Sequence, residues 1–208
     1  MEIKFEATKK ILKDVKQTCK KHEVQLILSD CRSVQLDTGT KCNGYFEDKT
    51  PALAVACGQA EKKWLPVLIH ESSHMDQWIE QCVEWTNTKT EQYESMDLLD
   101  LWMGRHIELS RAQLNKYVKA SRDVELDCEK RSVEKILHYD APLNIVQYIQ
   151  RANAYVYFYN FMKVSRKWYT IGKEPYNVKD VWTQMPINFD NDYEKLPKKF
   201  RDLFLNYL

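Results

Sequence analysis

Glycine is scarce in this chain, with 5 residues in 208, and net charge is all but absent, since 31 lysines and arginines face 30 aspartates and glutamates. A protein so balanced has no long-range field to draw it to nucleic acid or to an anionic membrane, so any partner is recognised locally. No run of about 18 apolar residues occurs, and no membrane-spanning helix is expected. The N-terminal MEIKFEATKKILKDVKQ alternates charge with single apolar residues and lacks the apolar core of a secretory signal, which makes a cytoplasmic location the expectation. The six cysteines (Cys19, Cys31, Cys42, Cys57, Cys82, Cys128) include no CxxC pair. Their spacing therefore carries neither a zinc knuckle nor a thioredoxin-type motif, and free thiols, mostly buried, are expected.

What is present is a globular composition, 44% apolar and 29% charged, at a length that suits one domain spanning 1–208. Phe5, Ile11, Leu12, Val15 and Cys19 recur at helical spacing and predict an amphipathic helix from Phe5 to about His22. VQLILSD, SVQLDTG, KCNGYFED and TPALAVACG are short β-rich segments parted by Asp, Gly and Pro, and they predict three or four strands between about Val24 and Cys57. The remainder reads as helical: Ala60 to Trp85, then LLDLWMGRHIELSRAQLNKYVKASRDVELDCEKRSVEKILH, then Leu143 to about Trp168. Pro175, Pro186 and Pro197 amid aromatics make 170–208 a wrap of turns and short helices. A small sheet between a first helix and a helical C-terminal half is an α+β arrangement.

The chemistry concentrates in LPVLIHESSHMDQW, residues 65–78. On a helix, residues four apart stand nearly above one another, so His70 and His74 can reach one ion, with Glu71 beside them to take a proton from an activated water. Zinc bound by such a pair lowers the pKa of water toward about 7 and polarises an amide carbonyl. A catalytic zinc site generally has three protein ligands and an open position, so a third ligand must lie downstream. MDQWIEQC, directly after His74, supplies no further histidine. The helix ASRDVELDCEKRSVEKI does offer candidates: its inner face runs Leu114, Tyr117, Val118, Ser121, Glu125, Cys128, Glu129, Ser132, Ile136. Two glutamates amid apolar and small residues are costly there unless a cation meets them. Glu125 is the expected third ligand, and Glu129, one turn on, the expected acceptor for a ring N–H of a ligating histidine. The reverse assignment stays open, and Asp127 points elsewhere.

At these residues the chain resembles the HExxH zinc metallopeptidases of the gluzincin type, in which HExxH on one helix is followed by ExxxD on another. The match is His70-Glu71-x-x-His74 followed by Glu125-x-x-x-Glu129, with glutamate in place of the usual aspartate. Asp76 also departs from the pattern, which prefers an apolar residue there. The resemblance covers roughly 40–137. It implies a zincin-like fold, a Zn²⁺ cofactor and a peptide or protein substrate. It also implies that TPALAVACG is the edge strand along which an extended peptide pairs. It further implies a tyrosine or histidine that donates to the oxyanion, for which His138, Tyr139, Tyr155, Tyr157 and Tyr159 are the candidates.

Blander readings compete. The two histidines can be hydrogen-bonded core residues, and Glu125 and Glu129 a charged face paired with Arg122, Lys130 and Lys135. The Tyr155–Phe161 cluster reads as core. KLPKKFRD reads as an exposed helix start rather than a nucleic-acid patch. From another functional class comes a non-catalytic, metal-stabilised binding module, in which a cysteine such as Cys128 completes the coordination and leaves no position for water.

Overall fold

A computed structural model of the chain describes residues 3–36 and 39–208. Met1 and Glu2 lie outside the described residues, as do Asp37 and Thr38 in the expected strand segment SVQLDTG. The fold is α+β, with eight helices and five short strands among the described residues. No helix among them is long and apolar enough to cross a membrane. None of the six cysteines is in a disulfide; Cys19, Cys57 and Cys128 are buried. The chain divides into two compact units, Met1–Cys82 with Lys130–Leu143, and Val83–Glu129 with Asn144–Leu208.

The first unit opens with α1 (Glu6–Lys21), which buries Ile11, Leu12, Val15 and Cys19 along one stripe. Its N-cap, Phe5, has no side-chain acceptor to offer. Glu61 supplies one from elsewhere in the chain, its Oε2 accepting from the Lys4 N–H at 2.6 Å and its Oε1 from the Phe5 N–H at 3.3 Å. A carboxylate at this end of a helix answers both the unsatisfied N–H groups and the positive end of the dipole. The strands follow: β1 (Gln25–Ser29), β2 (Val34–Gln35), β3 (Lys41–Cys42), β4 (Gly44–Glu47) and β5 (Ala52–Ala56). β2 and β3 form a separate antiparallel pair, while the main sheet has the order β1-β5-β4, with β1 parallel and β4 antiparallel to β5.

Every residue of β5 is buried, as expected of a strand covered on both faces. Its Ala54 and Ala56 pack with Val34 on one side of the sheet. The other face carries α2 (Glu61–Glu80), which lies on β4 and β5. This order corrects the expected edge strand. TPALAVACG forms β5 at the centre of the sheet, with both of its edges already paired, and the outer strand beside α2 is β4. An unbroken apolar run marks a buried central strand, whereas GYFE, half-buried throughout, ends in a glutamate.

α2 ends at Gln81, in the left-handed conformation (φ 49°), and α3 (Val83–Thr86) is a separate turn. The second unit continues with α4 (Ser95–Met103) and the start of α5 (Arg111–His138). The continuous helix expected from LLDLW onward breaks here. Arg105 takes a left-handed φ of 61° after Gly104. Ser110 and Gln113 then form a reciprocal cap, the Ser110 N–H donating to Gln113 Oε1 at 3.0 Å and the Gln113 N–H to Ser110 Oγ at 3.3 Å. SRAQ is the local signature of a helix start.

α6 (Ile145–Ser165) begins at Asn144, whose side chain accepts from the Gln147 N–H, and is buried almost all round from Ala152 to Met162. Against it pack Leu99, Trp102, Val181 and, from α8 (Lys198–Tyr207), Phe200, Leu203 and Phe204. Phe158 sits at the middle of the aromatic core, with ring centroids 5.5 Å from Phe161, 5.3 Å from Trp168 and 5.6 Å from Phe204. Burying each such side chain contributes about 1.5–3 kcal/mol.

The segment 186–194 is irregular, and polar side chains hold it. Asn153 donates to the carbonyls of Pro186 (2.8 Å) and Asn188 (2.9 Å) and accepts from the Tyr193 hydroxyl. Asn160 Nδ2 and Arg122 Nη1 both donate to the Tyr193 carbonyl, at 2.6 and 2.7 Å. Replacing Asn153 by the similarly shaped Leu takes the amide donor from two backbone carbonyls and the acceptor from the buried Tyr193 hydroxyl. The expected cost is about 2–4 kcal/mol, read as a lowered urea midpoint together with faster proteolysis within 186–194; an unchanged midpoint would mean that the segment is held by apolar packing alone.

Candidate functional site

α2 turns its apolar side inward through Trp64, Leu65, Leu68, Ile69 and Met75, all at most 1% exposed. His70, Glu71 and His74 fall beside this stripe and are half-buried, as their positions on the helical wheel require. The two imidazoles stand edge to face, their centroids 4.7 Å apart. His74 Nδ1 lies 2.8 Å from Oε1 of Gln77, one turn on and fully buried. An amide oxygen only accepts, so Nδ1 carries the proton in this bond, and in the neutral ring Nε2 then holds the lone pair. That is the tautomer a metal-ligating histidine needs, oriented by a partner as ligating histidines usually are. The donor set at this position fits a zinc ion: two imidazoles one turn apart, one of them oriented by its bond to Gln77.

Glu71 lies against the sheet at its outer strand. Gly44, at the start of β4, comes so close to α2 that a Cβ there would meet Val67 Cγ1 at 2.5 Å, the Ala54 carbonyl at 2.8 Å and Glu71 Cγ at 3.2 Å. One of the few glycines is thus spent where backbone and helix touch beside the expected base. Phe46, two residues on and on the same face, packs its ring 5.6 Å from Trp78. The Cys42 thiol is pushed up from its usual range, first by burial and then by the charge of Glu71.

The last turns of α5 grip α2 through polar contacts. Ser73 Oγ and Ser72 Oγ each donate to the Ile69 carbonyl at 2.9 Å, and Ser132 Oγ donates to Ser73 Oγ at 3.2 Å. Lys135 Nζ reaches Ser72 Oγ at 2.8 Å and Asp76 Oδ2 at 2.6 Å. Arg131 pairs with Glu80 at 2.7 Å, nearer solvent. Asp76, the departure from the usual apolar residue, is therefore the acceptor for a lysine on the facing helix.

α5 passes from one compact unit to the other between Glu129 and Lys130. On its second-unit portion Glu125 is half-buried, Cys128 fully buried and Glu129 7% exposed, and with Val118, Ser121, Ser132 and Ile136 they reproduce the inner face expected from the sequence. Arg122 and Lys135, on the same helix, each hold several polar partners. Arg122 binds the Tyr193 carbonyl, Asp123 and Glu194, and Lys135 binds Asp76 and Ser72.

The five oxyanion candidates separate by environment. Tyr157 donates to Asp190 at 2.6 Å and Tyr139 to Asp14 at 2.7 Å, while the His138 ring packs edge-on against Tyr139. Burial and the bond to Asp14 push the Tyr139 hydroxyl up to about 12. Tyr155 and Tyr159, hydroxyl to hydroxyl at 3.1 Å, are held far above the ordinary tyrosine range by burial and then by the negative charge of Glu125. Both therefore stay protonated as donors at neutral pH, within the field of the expected third ligand.

Sequence reasoning missed Gln77, Gly44 and Lys135. Gln77 carried a signal, an amide one turn after the second histidine on an otherwise apolar helix. Gly44 and Lys135 matter through contacts between elements, which spacing does not encode. Set against protein-family models, curated proteins and solved structures, the chain matches none. Gly44→Ala is expected to cost about 1–3 kcal/mol through overpacking against Val67 and the Ala54 carbonyl, seen as a lower midpoint in thermal unfolding followed by circular dichroism; an unaltered midpoint would show that β4 can move off α2 freely.

Proposed function

We propose that the chain is a zinc-dependent metallopeptidase in which His70, His74 and Glu125 hold the ion and Glu71 is the general base. The observation that carries this reading is the bond from His74 Nδ1–H to buried Gln77, which fixes a tautomer and orientation that a merely packed core histidine does not require. Among the described residues, His70 and His74 form with Cys128 a group whose donor types could hold a metal ion, the set that a fully coordinated structural metal would use. The inward position of Glu125 and Glu129 on α5 supports a carboxylate from this helix as third ligand, with Glu129 as acceptor for a ring N–H.

Zinc, when bound, supplies Lewis acidity that makes water nucleophilic near neutral pH and polarises the scissile carbonyl. Glu71 takes the proton from the attacking water and hands it to the leaving amine nitrogen. Tyr155 or Tyr159 donates to the oxygen on which negative charge develops. An extended peptide pairs with the outer edge of β4, whose Gly44 backbone borders Glu71. This strand replaces β5 in the role that the family resemblance implied.

Elemental analysis of purified protein and a peptide-cleavage assay test the reading together. One zinc per chain is expected, lost in His70→Ala, His74→Ala and Glu125→Ala. Glu71→Gln should keep its zinc and lose about 10²- to 10⁴-fold in turnover; full activity in that variant would refute the mechanism. Gln77→Leu should weaken zinc binding by about 10- to 100-fold, the usual effect of removing a ligand's orienting partner. If zinc is retained in Glu125→Ala but lost in Cys128→Ser, and no peptide is cleaved, a fully coordinated structural metal is the better description.

A further inference from the structure

We propose that the cleft between α1 and the end of α5 is a binding site for a small phosphorylated molecule that also carries hydroxyl groups, of the sugar phosphate class. The cleft has a volume of about 430 Å³ and is lined by Lys10, Lys13 and Asp14 of α1 and by His138, Tyr139 and Asp140, all within the first unit. That volume lies in the range of small-molecule sites, and a lining so polar suits a charged, hydroxyl-bearing ligand rather than an apolar one. None of the six residues is among those proposed to hold zinc, and the site does not depend on that metal.

The phosphate end is drawn by α1. Between Glu6 and Lys21 this helix carries six lysines against Glu6 and Asp14, in a chain whose total charge is only +1, so its exposed face is a local positive field. Glu6 pairs with Lys9 along the same helix at 3.2 Å. Asp14 is held by the opposite wall, its Oδ2 accepting from the Tyr139 hydroxyl at 2.7 Å. Burial first, and then this bond, push that hydroxyl up to about 12, so Tyr139 remains a donor to Asp14 across the neutral range. Asp14 and Tyr139 are half-buried, whereas Lys10 and Lys13, one turn apart on α1, are exposed. Two ammonium groups at that spacing can share the oxygens of one phosphate.

The facing wall supplies what a sugar needs. α5 closes at Asp140, which takes a left-handed φ of 50°. There the Asp140 N–H donates to the Leu137 carbonyl at 3.2 Å and the Ala141 N–H to the Ile136 carbonyl at 2.9 Å, which answers carbonyls that a helix end otherwise leaves open. In this corner the His138 and Tyr139 rings stand edge to face, with centroids 4.7 Å apart, and offer an aromatic surface to the apolar side of a sugar ring. The Asp140 carboxylate is exposed and, when ionised, only accepts hydrogen bonds. It repels a bare phosphate but receives hydroxyl donors. A ligand with a phosphate at one end and hydroxyls at the other uses both walls, and this decides the class.

Isothermal titration of the full chain with glucose 6-phosphate, inorganic phosphate and glucose provides the test. Glucose 6-phosphate is expected to bind at one site per chain, and the other two about tenfold or more weakly, the effect of losing contacts to a charged group. Lys10→Gln and Lys13→Gln should each weaken glucose 6-phosphate by about tenfold, and Asp140→Asn should narrow its advantage over inorganic phosphate. Tyr139→Phe frees Asp14 to pair with the lysines and should weaken both phosphate ligands. Lys20→Gln, on the same helix but outside the lining, should leave affinity unchanged, and circular dichroism shows that each variant is folded. If Tyr139→Phe fails to fold, Asp14→Asn decides the same point: removing that charge should tighten both phosphate ligands, and weaker binding counts against the site. No saturable binding of either phosphate ligand at about 10 mM, weaker than the feeblest useful affinity, overturns the proposal. So does an equal loss in Lys20→Gln and Lys13→Gln, which marks generic attraction to a lysine-rich helix. Inorganic phosphate that binds as tightly as glucose 6-phosphate overturns the sugar phosphate assignment.

Discussion

The first unit depends on the packing of α2, which lies on β4 and β5 and is gripped by the last turns of α5. A helix in that position must be apolar toward the sheet, small toward the second helix and polar only along the strip between them. Residues 64–77 meet these demands in turn: Trp64, Leu65, Leu68, Ile69 and Met75 for the sheet and α1, Ser72 and Ser73 for α5, and His70, Glu71 and His74 for the strip that remains. The chemistry-bearing residues are thus placed by exclusion as much as by attraction. No rotation of α2 that exposed them further would keep its apolar residues out of water.

Burial also governs the protonation of the groups around this strip. Desolvation raises the Cys42 thiol, and the charge of Glu71 raises it further. Cys42 is held as a thiol beside Glu71, and Tyr155 and Tyr159 are held as phenols in the field of Glu125. Gln77 acts in the opposite manner. It alters no charge but chooses which nitrogen of His74 keeps a proton, and that choice decides whether the ring can donate an electron pair outward.

Much of this was legible in the sequence, for identifiable reasons. HExxH is a local pattern on one helix, so spacing alone placed His70, Glu71 and His74 on one strip. The inner face of α5 followed from the same periodicity, since small and apolar residues flank Glu125 and Glu129 at helical intervals. The strands were legible as strands but not as an order. TPALAVACG was expected at an edge, whereas its unbroken apolar run is what a central strand requires. The break between α4 and α5 was written in SRAQ and overlooked because the apolar periodicity ran on past it. The Lys135–Asp76 pair spans 59 positions of chain, and only the fold brings its members together.

The irregular segment 186–194 has a consequence in time. Its anchors on α5 and α6, Arg122, Asn153 and Asn160, lie 71, 40 and 33 residues before Tyr193. During synthesis these buried polar groups are made well before the backbone that satisfies them. For that interval α6, apolar on nearly every side, has neither α8 to cover it nor Tyr193 to quench its two asparagines. The second unit therefore closes late and all at once, and a chain cut short before residue 193 would present its most aromatic surface to whatever protein lay nearest.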